Sequence, residues 1–318
     1  MTSPHVAIIV LNWNNPDDTL ACLDSVAALD YPTDSLEVIV VDNGSTDDSV
    51  ARICARFPAV TVIETGANLG YAGGNNVGIR HALAAGAEAV CILNNDVTVE
   101  PDFLAPLIAA LHSQPDVGIV TPLVVEGTGD GGRVWALGSA VNRRTAAINR
   151  CCAGEPVDAW RQREPFAVEI ASGAAMLIWR EVFERVGLMD EDFFLYFEEV
   201  DWCLKVRQAG YRILAVPASL VWHKVSATLG TTSPIIDYYI LRNHLRLIGR
   251  HWRGLRRIHL LARVVLRNLL TIAAYTAKPH GGRRIPNRNA RLLALRDALL
   301  GRWGKMGSDV AKICYPKR

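Results

Sequence analysis

Short apolar runs alternate with helix-type stretches through the first third of the chain, and that alternation restricts it to few architectures. Val6 to Leu11, Leu36 to Val41 ("LEVIVV"), Val60 to Glu64 and Ala89 to Leu93 read as buried strands. Between them, Asp17 to Ala28, a segment running to about Phe57, and Asn75 to Ala85 read as helices. Pro16 suits a helix start. Ser45 followed by Asp48 resembles a capping box with Asp in place of Glu. Repeated βα units predict a mostly parallel sheet with helices on both faces. In such sheets ligands bind beyond the carboxyl ends of the strands. Asn12, Asp42 and Asn94 to Asp96 fall at such ends, so one crevice would collect them.

The stretch "CILNNDVTVEP" (91 to 101) sets three polar residues inside an apolar, extended pattern. A lone acid in that setting needs a partner. Nucleotide binding fits the crevice, but two common forms are excluded. "GANLGYAGGNNVG" (66 to 78) contains no G-x-G-x-x-G and follows the third strand rather than the first. No G-x-x-x-x-G-K-[ST] occurs either.

Half of the 318 residues are hydrophobic, ample for a sizeable core. The start "MTSPHVAIIVLNW" has no basic n-region and no long apolar h-region, so no secretory signal is expected. The seven Cys lack metal-type spacing and read as free cytosolic thiols. No apolar run reaches the roughly 18 residues of a membrane span. The net charge of +2 hides a split. Residues 1 to 241 carry 15 Lys and Arg against 30 Asp and Glu, while residues 242 to 318 carry 19 against 2. The tail is therefore expected to meet something anionic.

Six segments in order now carry a resemblance: "IIVLNWNNPDDTLACLDSV", "VIVVDNGSTDDSV", "NLGYAGGNNVGI", "ILNNDVTVEPDFL", "SGAAMLIWREVFERVGLMDEDFFLYFEEVDWCLKVRQAGYRI" and "VWHKVSAT". Over roughly residues 5 to 245 the chain resembles a family 2 glycosyltransferase of GT-A fold, in its rhamnosyltransferase-like branch. The resemblance implies a catalytic domain over residues 1 to 235, with a nucleotide-binding half to about 100 and an acceptor half beyond. Residues 236 to 318 form a basic helical extension. It also implies an inverting transfer from a nucleotide-diphosphate sugar with a divalent metal, Mg²⁺ or Mn²⁺.

A sugar diphosphate concentrates negative charge, which grows as the glycosidic bond breaks. A hard cation with oxygen ligands offsets it. By resemblance, "NND" stands at the D-x-D position, with Asn94 in the first acidic place and Asp96 as the metal ligand. The competing reading of Asn95 and its neighbours is a turn that satisfies its own backbone. The resemblance puts Asp42 on the pyrimidine base and Asn12 and Asn14 near the nucleotide. Asn68 and Asn75 could contact nucleotide or sugar, and Gly70, Gly73 and Gly74 permit close backbone approach. His223 matches a position that contacts metal or diphosphate, with Trp222 packed nearby.

Inversion needs a base for the acceptor hydroxyl proton. Acids at a helix start stay ionised, and "FEEVD" supplies Glu198, Glu199 and Asp201 ahead of a helix ending near Gly210. Glu199 aligns with the family's expected base, which is usually Asp. Asp201 is its rival, with a structural alternative in pairing with Lys205. Glu198 reads as a structural or acceptor-side acid, and Ser172 to Ala175, Ser172 and Gly173 foremost, would floor an acceptor site. "SATLGTTS" (226 to 233) is a candidate lid.

In the tail, Arg242, Arg246, Arg250, Arg253 and Arg257 recur at three- to four-residue spacing, with Leu245, Ile248, Trp252 and Leu255 between them. A more apolar helix follows from Leu260 to Tyr275. Residues 242 to 275 are expected to bind an anionic membrane surface; packing against the acidic domain or a second subunit, as in a homo-oligomer, is the alternative. No nucleic-acid module is evident. The favoured reading is a cytoplasmic enzyme, peripheral on the inner membrane face. It would move a sugar from a nucleotide-diphosphate donor, dTDP-rhamnose by resemblance, to a glycan or polyprenyl-linked acceptor. The rivals are a nucleotidyltransferase using the same crevice and a non-catalytic glycan- or membrane-binding scaffold.

Overall fold

The computed structural model describes residues 3–127, 132–224, 233–278 and 284–314. The strands are β1 (Val6–Asn12), β2 (Leu36–Asp42), β3 (Thr61–Glu64), β4 (Ala89–Asn94), β5 (Val97–Val99), β6 (Val117–Glu126), β7 (Val134–Ala136), β8 (Ser139–Val141), β9 (Ile148–Arg150), β10 (Phe166–Val168), β11 (Ala175–Trp179) and β12 (Arg212–His223). The helices are α1 (Pro16–Ala27), α2 (Ser49–Arg56), α3 (Gly70–Ala84), α4 (Leu104–Leu111), α5 (Arg180–Val186), α6 (Glu198–Gln208), α7 (Pro234–His251), α8 (Gly254–Ala277), α9 (Ile285–Leu299) and α10 (Ser308–Cys314).

One sheet runs β10-β12-β6-β11-β4-β1-β2-β3, with β5 added to β12 and β7 to β6. The strands β1 to β4 pair in parallel, as the βα repeats require. Antiparallel β11 then joins β4 to β6, so the farther half is mixed. This mixed α/β arrangement agrees with the fold that the resemblance implies. β1 is buried on both faces: Val6, Ile8 and Val10 share a core with Leu23 and Val26 of α1 and Leu104 and Leu107 of α4. Its other face meets α3, where a Cβ on Gly74 would lie 2.4 Å from Leu11 Cδ1 and one on Gly78 2.7 Å from Ile9 Cγ2.

That contact explains one correction. The helix was expected from Asn75 but begins at Gly70. Glycine weakens a helix by about 1 kcal/mol, yet here its missing side chain lets the helix backbone reach the sheet. A second correction concerns Ser45. No capping box forms: α2 starts at Ser49 without a side-chain cap, and the Ser45 hydroxyl donates to Asp42 Oδ1 at 2.6 Å. The expected end of α6 holds, with Gly210 at φ +96°.

Contacts divide the chain into two compact units. The first comprises residues 1–141, 148–189 and 199–225 and contains the sheet. The second comprises 142–147, 190–198 and 226–318 and contains α7 to α10. Within the second unit, residues 194 to 197 follow an unusual path, with Phe194, Tyr196 and Phe197 all at positive φ. Bulky residues rarely adopt that conformation. The Asn243 amide holds it, donating to the carbonyls of Phe193, Leu195 and Tyr196 at 2.7, 2.8 and 2.9 Å. Phe194 stacks on Tyr239 and Phe197 on His244.

The arginines of α7 do not form the outward face expected from their spacing. Arg242 is 1% exposed and lies against the rings of Tyr238, Tyr239 and Trp303. Arg246 bonds Asp190 at 3.0 Å and Asp192 at 2.7 Å, and Arg250 pairs with Asp190. Burial alone would raise the Asp190 carboxyl, but the hydrogen bonds from Arg246 and the Asp192 amide, with the Arg246 and Arg250 charges, hold it below the usual range. An i, i+4 row looks the same whether it faces solvent or acids inside its own unit, so spacing could not distinguish them. Trp252 and Arg253 are extended and break the helix, which puts Arg253 and Arg257 in the frame of α8.

Replacing Gly78 by Ala normally strengthens a helix. Here the added methyl meets Ile9 and Val41, so we expect a loss of about 1–3 kcal/mol in urea unfolding. An unchanged or raised midpoint would contradict the packing account.

Candidate active site

Strand register assembles the site in the first unit. Asn12 lies opposite Asp42 and Leu11 opposite Asn94, so the carboxyl ends of β1, β2 and β4 form one row. Antiparallel β11 starts where β4 ends, and the Asn94 amide donates to Ala174 O at 2.9 Å. Ser172 and Gly173 are thereby brought to the same edge. β5 doubles back onto the end of β12, pairing Val97 with His223 and Thr98 with Trp222. Asp96, in the turn before β5, reaches His223 through Oδ1, 3.2 Å from Nε2.

Asp42 is buried and prearranged. Its Oδ1 accepts from Asn12 Nδ2 at 2.8 Å and from the Ser45 hydroxyl, and its Oδ2 accepts from the Ser45 amide at 2.9 Å. Asn12 is fully occupied beneath it: Nδ2 also donates to Ser45 Oγ, and Oδ1 accepts from Thr19 Oγ1 at 2.7 Å. Asn12 thus orients Asp42 from inside the protein. Asn14, at φ 49°, ties the loops by accepting from the Thr46 amide at 2.7 Å.

The glycine-rich segment is anchored by Asn43, which the sequence reading passed over although it adjoins Asp42. Asn43 Oδ1 accepts from the Leu69 amide and its Nδ2 donates to Gly70 O. Asn68 Oδ1 accepts from the Gly70 amide at 2.8 Å. Gly73 and Gly74 lie buried in α3, and Gly74 faces Leu11 and Asn43. Asn75 is wholly buried: its Nδ2 donates to Tyr71 O, while Oδ1 has no hydrogen-bond partner. Asn95 Nδ2 donates to Thr19 Oγ1 at 2.9 Å, holding the "NND" turn to α1. Tyr71 was also missed. Its hydroxyl donates to Gly173 O at 2.5 Å and locks the acceptor-side loop to α3.

The acid candidates separate. Asp201 is 0% exposed and pairs with Lys205 Nζ at 2.6 Å, so this pairing fills the role that spacing offered as the alternative to catalysis. Glu199 is half-buried at the start of α6, within ordinary contact of a Cβ built on Gly173. Glu198 is buried and belongs to the second unit. The candidate lid, 226 to 233, lies outside the described residues except Ser233.

The Asp96–His223 pair passes one test for a divalent cation. The pair sets a carboxylate oxygen 3.2 Å from the imidazole Nε2, and that mixed oxygen and nitrogen donor set suits a Mn²⁺-type ion. No group of three or more His, Cys, Asp or Glu able to hold a metal occurs among the described residues. Remaining ligands would have to come from the nucleotide or water. Burial, then the Asp96 charge, pushes the Cys22 thiol far up, and burial pushes Cys203 up to about 12, so these two are poor nucleophiles.

Comparison with known proteins gives a consistent family. Residues 7–187 match the sequence profile of the family described as Glycosyl transferase family 2. The chain is 26% identical over 219 residues to the low-salt glycan biosynthesis hexosyltransferase Agl10 of Haloferax volcanii, covering 65% of this chain and 63% of that protein. It thus spans somewhat less than two thirds of that relative's length. It is 28% identical over 277 residues to an N-acetylglucosaminyl-diphospho-decaprenol L-rhamnosyltransferase of Mycobacterium tuberculosis, covering 78% and 87%. The crystal structure of GalNAc-T7 with UDP, GalNAc and Mn²⁺ superposes with a TM-score of 0.63 at 18% identity, over 81% of this chain and 49% of that one.

Asp201→Asn weakens a buried ion pair and is expected to lower stability by about 1–3 kcal/mol, while Glu199→Gln leaves the melting temperature unchanged. A stable Asp201→Asn protein would return Asp201 to the list of reactive acids.

Proposed function

This chain belongs to glycosyl transferase family 2, and on that premise we propose an inverting, metal-dependent transfer of rhamnose from a nucleotide-diphosphate sugar to a lipid-linked glycan. One observation chiefly supports the reading. The Asp42 row, the Asp96–His223 pair and Glu199 beside Gly173 come from five of the six segments that carry the resemblance, gathered at one end of the sheet. The rhamnosyl group follows the sequence resemblance and the name of the Mycobacterium relative, and its dTDP carrier follows the resemblance alone. The same name motivates a polyprenyl-diphosphate acceptor.

In this scheme Asp42, held by Asn12 and Ser45, accepts hydrogen bonds from the base, and the loop anchored by Asn43 lies against the nucleotide. Asp96 and His223 would hold Mg²⁺ or Mn²⁺, which when bound offsets charge on the departing diphosphate. Glu199 takes the acceptor hydroxyl proton as that oxygen attacks the anomeric carbon. The bond from that carbon to the diphosphate oxygen breaks, and configuration inverts. Glu is one methylene longer than the family's usual Asp, and Gly173 leaves room for it.

Work at a membrane is the second part of the proposal. α8 buries Leu260, Val264, Asn268 and Ile272 at four-residue spacing and exposes Leu255, Ile258, Leu266, Leu269 and Leu270 on its other side. It is the one helix among the described residues long and apolar enough, by length and composition, to cross a membrane. No apolar run of that length had been expected from the sequence. Its two faces, with Arg263 and Arg267 in mid-helix, favour lying in the interface over crossing it. We place the enzyme on the cytoplasmic face, where nucleotide sugars are made.

A donor panel read by nucleoside diphosphate release tests the chemistry. Turnover should need Mg²⁺ or Mn²⁺ and stop in excess chelator, and Glu199→Gln should lower kcat on the order of 10²-fold with donor affinity little changed. Release of pyrophosphate would instead identify a nucleotidyltransferase. Replacing Leu266, Leu269 and Leu270 together by Asn should weaken binding to anionic vesicles without lowering the melting temperature; unaltered binding would remove α8 as the membrane contact.

A further inference from the structure

The second unit contains a cavity that the transfer chemistry does not use. It measures about 380 Å³ and lies among α7, α8 and α9, closed on one side by Thr145 and Ala147. That size suits a small ligand. Its polar lining holds three guanidinium groups, Arg263 and Arg267 from α8 and Arg291 from α9, together with His244 from α7, Asn268 and Asp237.

Asp237 offsets one of these charges, that of Arg291, and leaves those of Arg263 and Arg267. Its Oδ1 is paired with Arg291 and its Oδ2 accepts from Asn287 Nδ2 at 2.9 Å. Arg291 also donates to Asn268 Oδ1 at 2.6 Å, yet its Nε is buried without a partner. Burial chiefly, with the nearby Arg267 charge acting the same way against the hydrogen bond to Ala146 O, pushes the His244 imidazole below its usual pKa. Arg263 and Arg267 stand one turn apart and are exposed, and among the described residues no carboxylate pairs with either. Like charges at this spacing oppose the helix unless an anion is shared between them. Guanidinium groups converging on one space, with unused donors, are suited to phosphate oxygens.

Position supplies the rest of the ligand. Arg263 and Arg267 flank the exposed Leu266 and Leu270 on the same helix, with Leu266 59% and Leu270 64% exposed. An anion held by the two arginines would therefore sit at the border of an apolar strip. We propose that this cavity binds the diphosphate headgroup of a membrane lipid, whose hydrocarbon chain lies along α8. The inference rests on the membrane reading above and adds to it a specific headgroup site.

The test is vesicle binding by the full chain, with no sugar transfer measured, so its outcome is independent of the catalytic reading. Phosphatidylcholine vesicles doped with undecaprenyl diphosphate are compared with vesicles brought to the same surface charge by phosphatidylglycerol. The wild type should prefer the diphosphate vesicles by about tenfold, the order expected for one lost charge-assisted contact pair. Inorganic pyrophosphate should compete. Arg263→Gln/Arg267→Gln should abolish the preference, whereas Arg253→Gln/Arg257→Gln, which removes equal charge outside the cavity, should retain it. Equal binding of the wild type to both vesicles overturns the proposal, and that reading needs no variant to fold. Equal loss in both double variants reduces the effect to surface charge and also overturns it. Pyrophosphate binding without any vesicle preference assigns the cavity to a free phosphate compound and rejects the lipid.

Discussion

Parallel pairing of β1 with β2 and β4 is the constraint on which the rest of the first unit depends. Parallel strands end on the same side, so the residues that leave them are forced into a row. Asn12, Asp42 and Asn94 are neighbours for that reason alone. The pairing also requires helices against both faces, and α3 reaches its face only because Gly74 and Gly78 carry no side chain. The same edge is completed from the opposite direction by antiparallel β11, which brings Gly173 in, and by the return of β5 onto β12, which sets Asp96 beside His223.

The βα repeats were legible because strand and helix periods are local properties of sequence. The polar residues at strand ends were legible too, since an apolar run that stops at Asn or Asp marks where the chain leaves the sheet. What each polar residue does there was less accessible. Asn12 and Asn95 look like ligand groups in sequence but are occupied by Asp42, Ser45 and Thr19. Asn43 and Tyr71, which fix the surrounding loops, have the composition of any turn or helix residue. Their partners lie 26 and 102 positions away, a distance that no local pattern encodes. Asp201 is the intermediate case, because its partner Lys205 is one turn along the same helix and spacing could name it.

The basic tail shows the same limit from another side. Its charge excess was countable, but the use of that charge depends on which arginines meet acids. Arg246 and Arg250 neutralise Asp190 and Asp192, and Arg242 is enclosed by aromatic rings. These residues organise the unit around the positive-φ segment gathered by Asn243, and of the three only Arg250 stays exposed. The positive charge left over is concentrated on α8, beside its exposed leucines. Charge that the fold consumes and charge that it displays were one number in the sequence and are two populations in the structure.

The central claim is that Asp96 and His223 form the protein's share of a cation site completed by a nucleoside diphosphate. Pulsed electron paramagnetic resonance of Mn²⁺ bound in the presence of a nucleoside diphosphate measures this directly, through modulation by an imidazole ¹⁴N nucleus. The account predicts that modulation in the wild type and its loss in His223→Gln. Its absence from the wild type, or its persistence in the variant, would contradict the assignment.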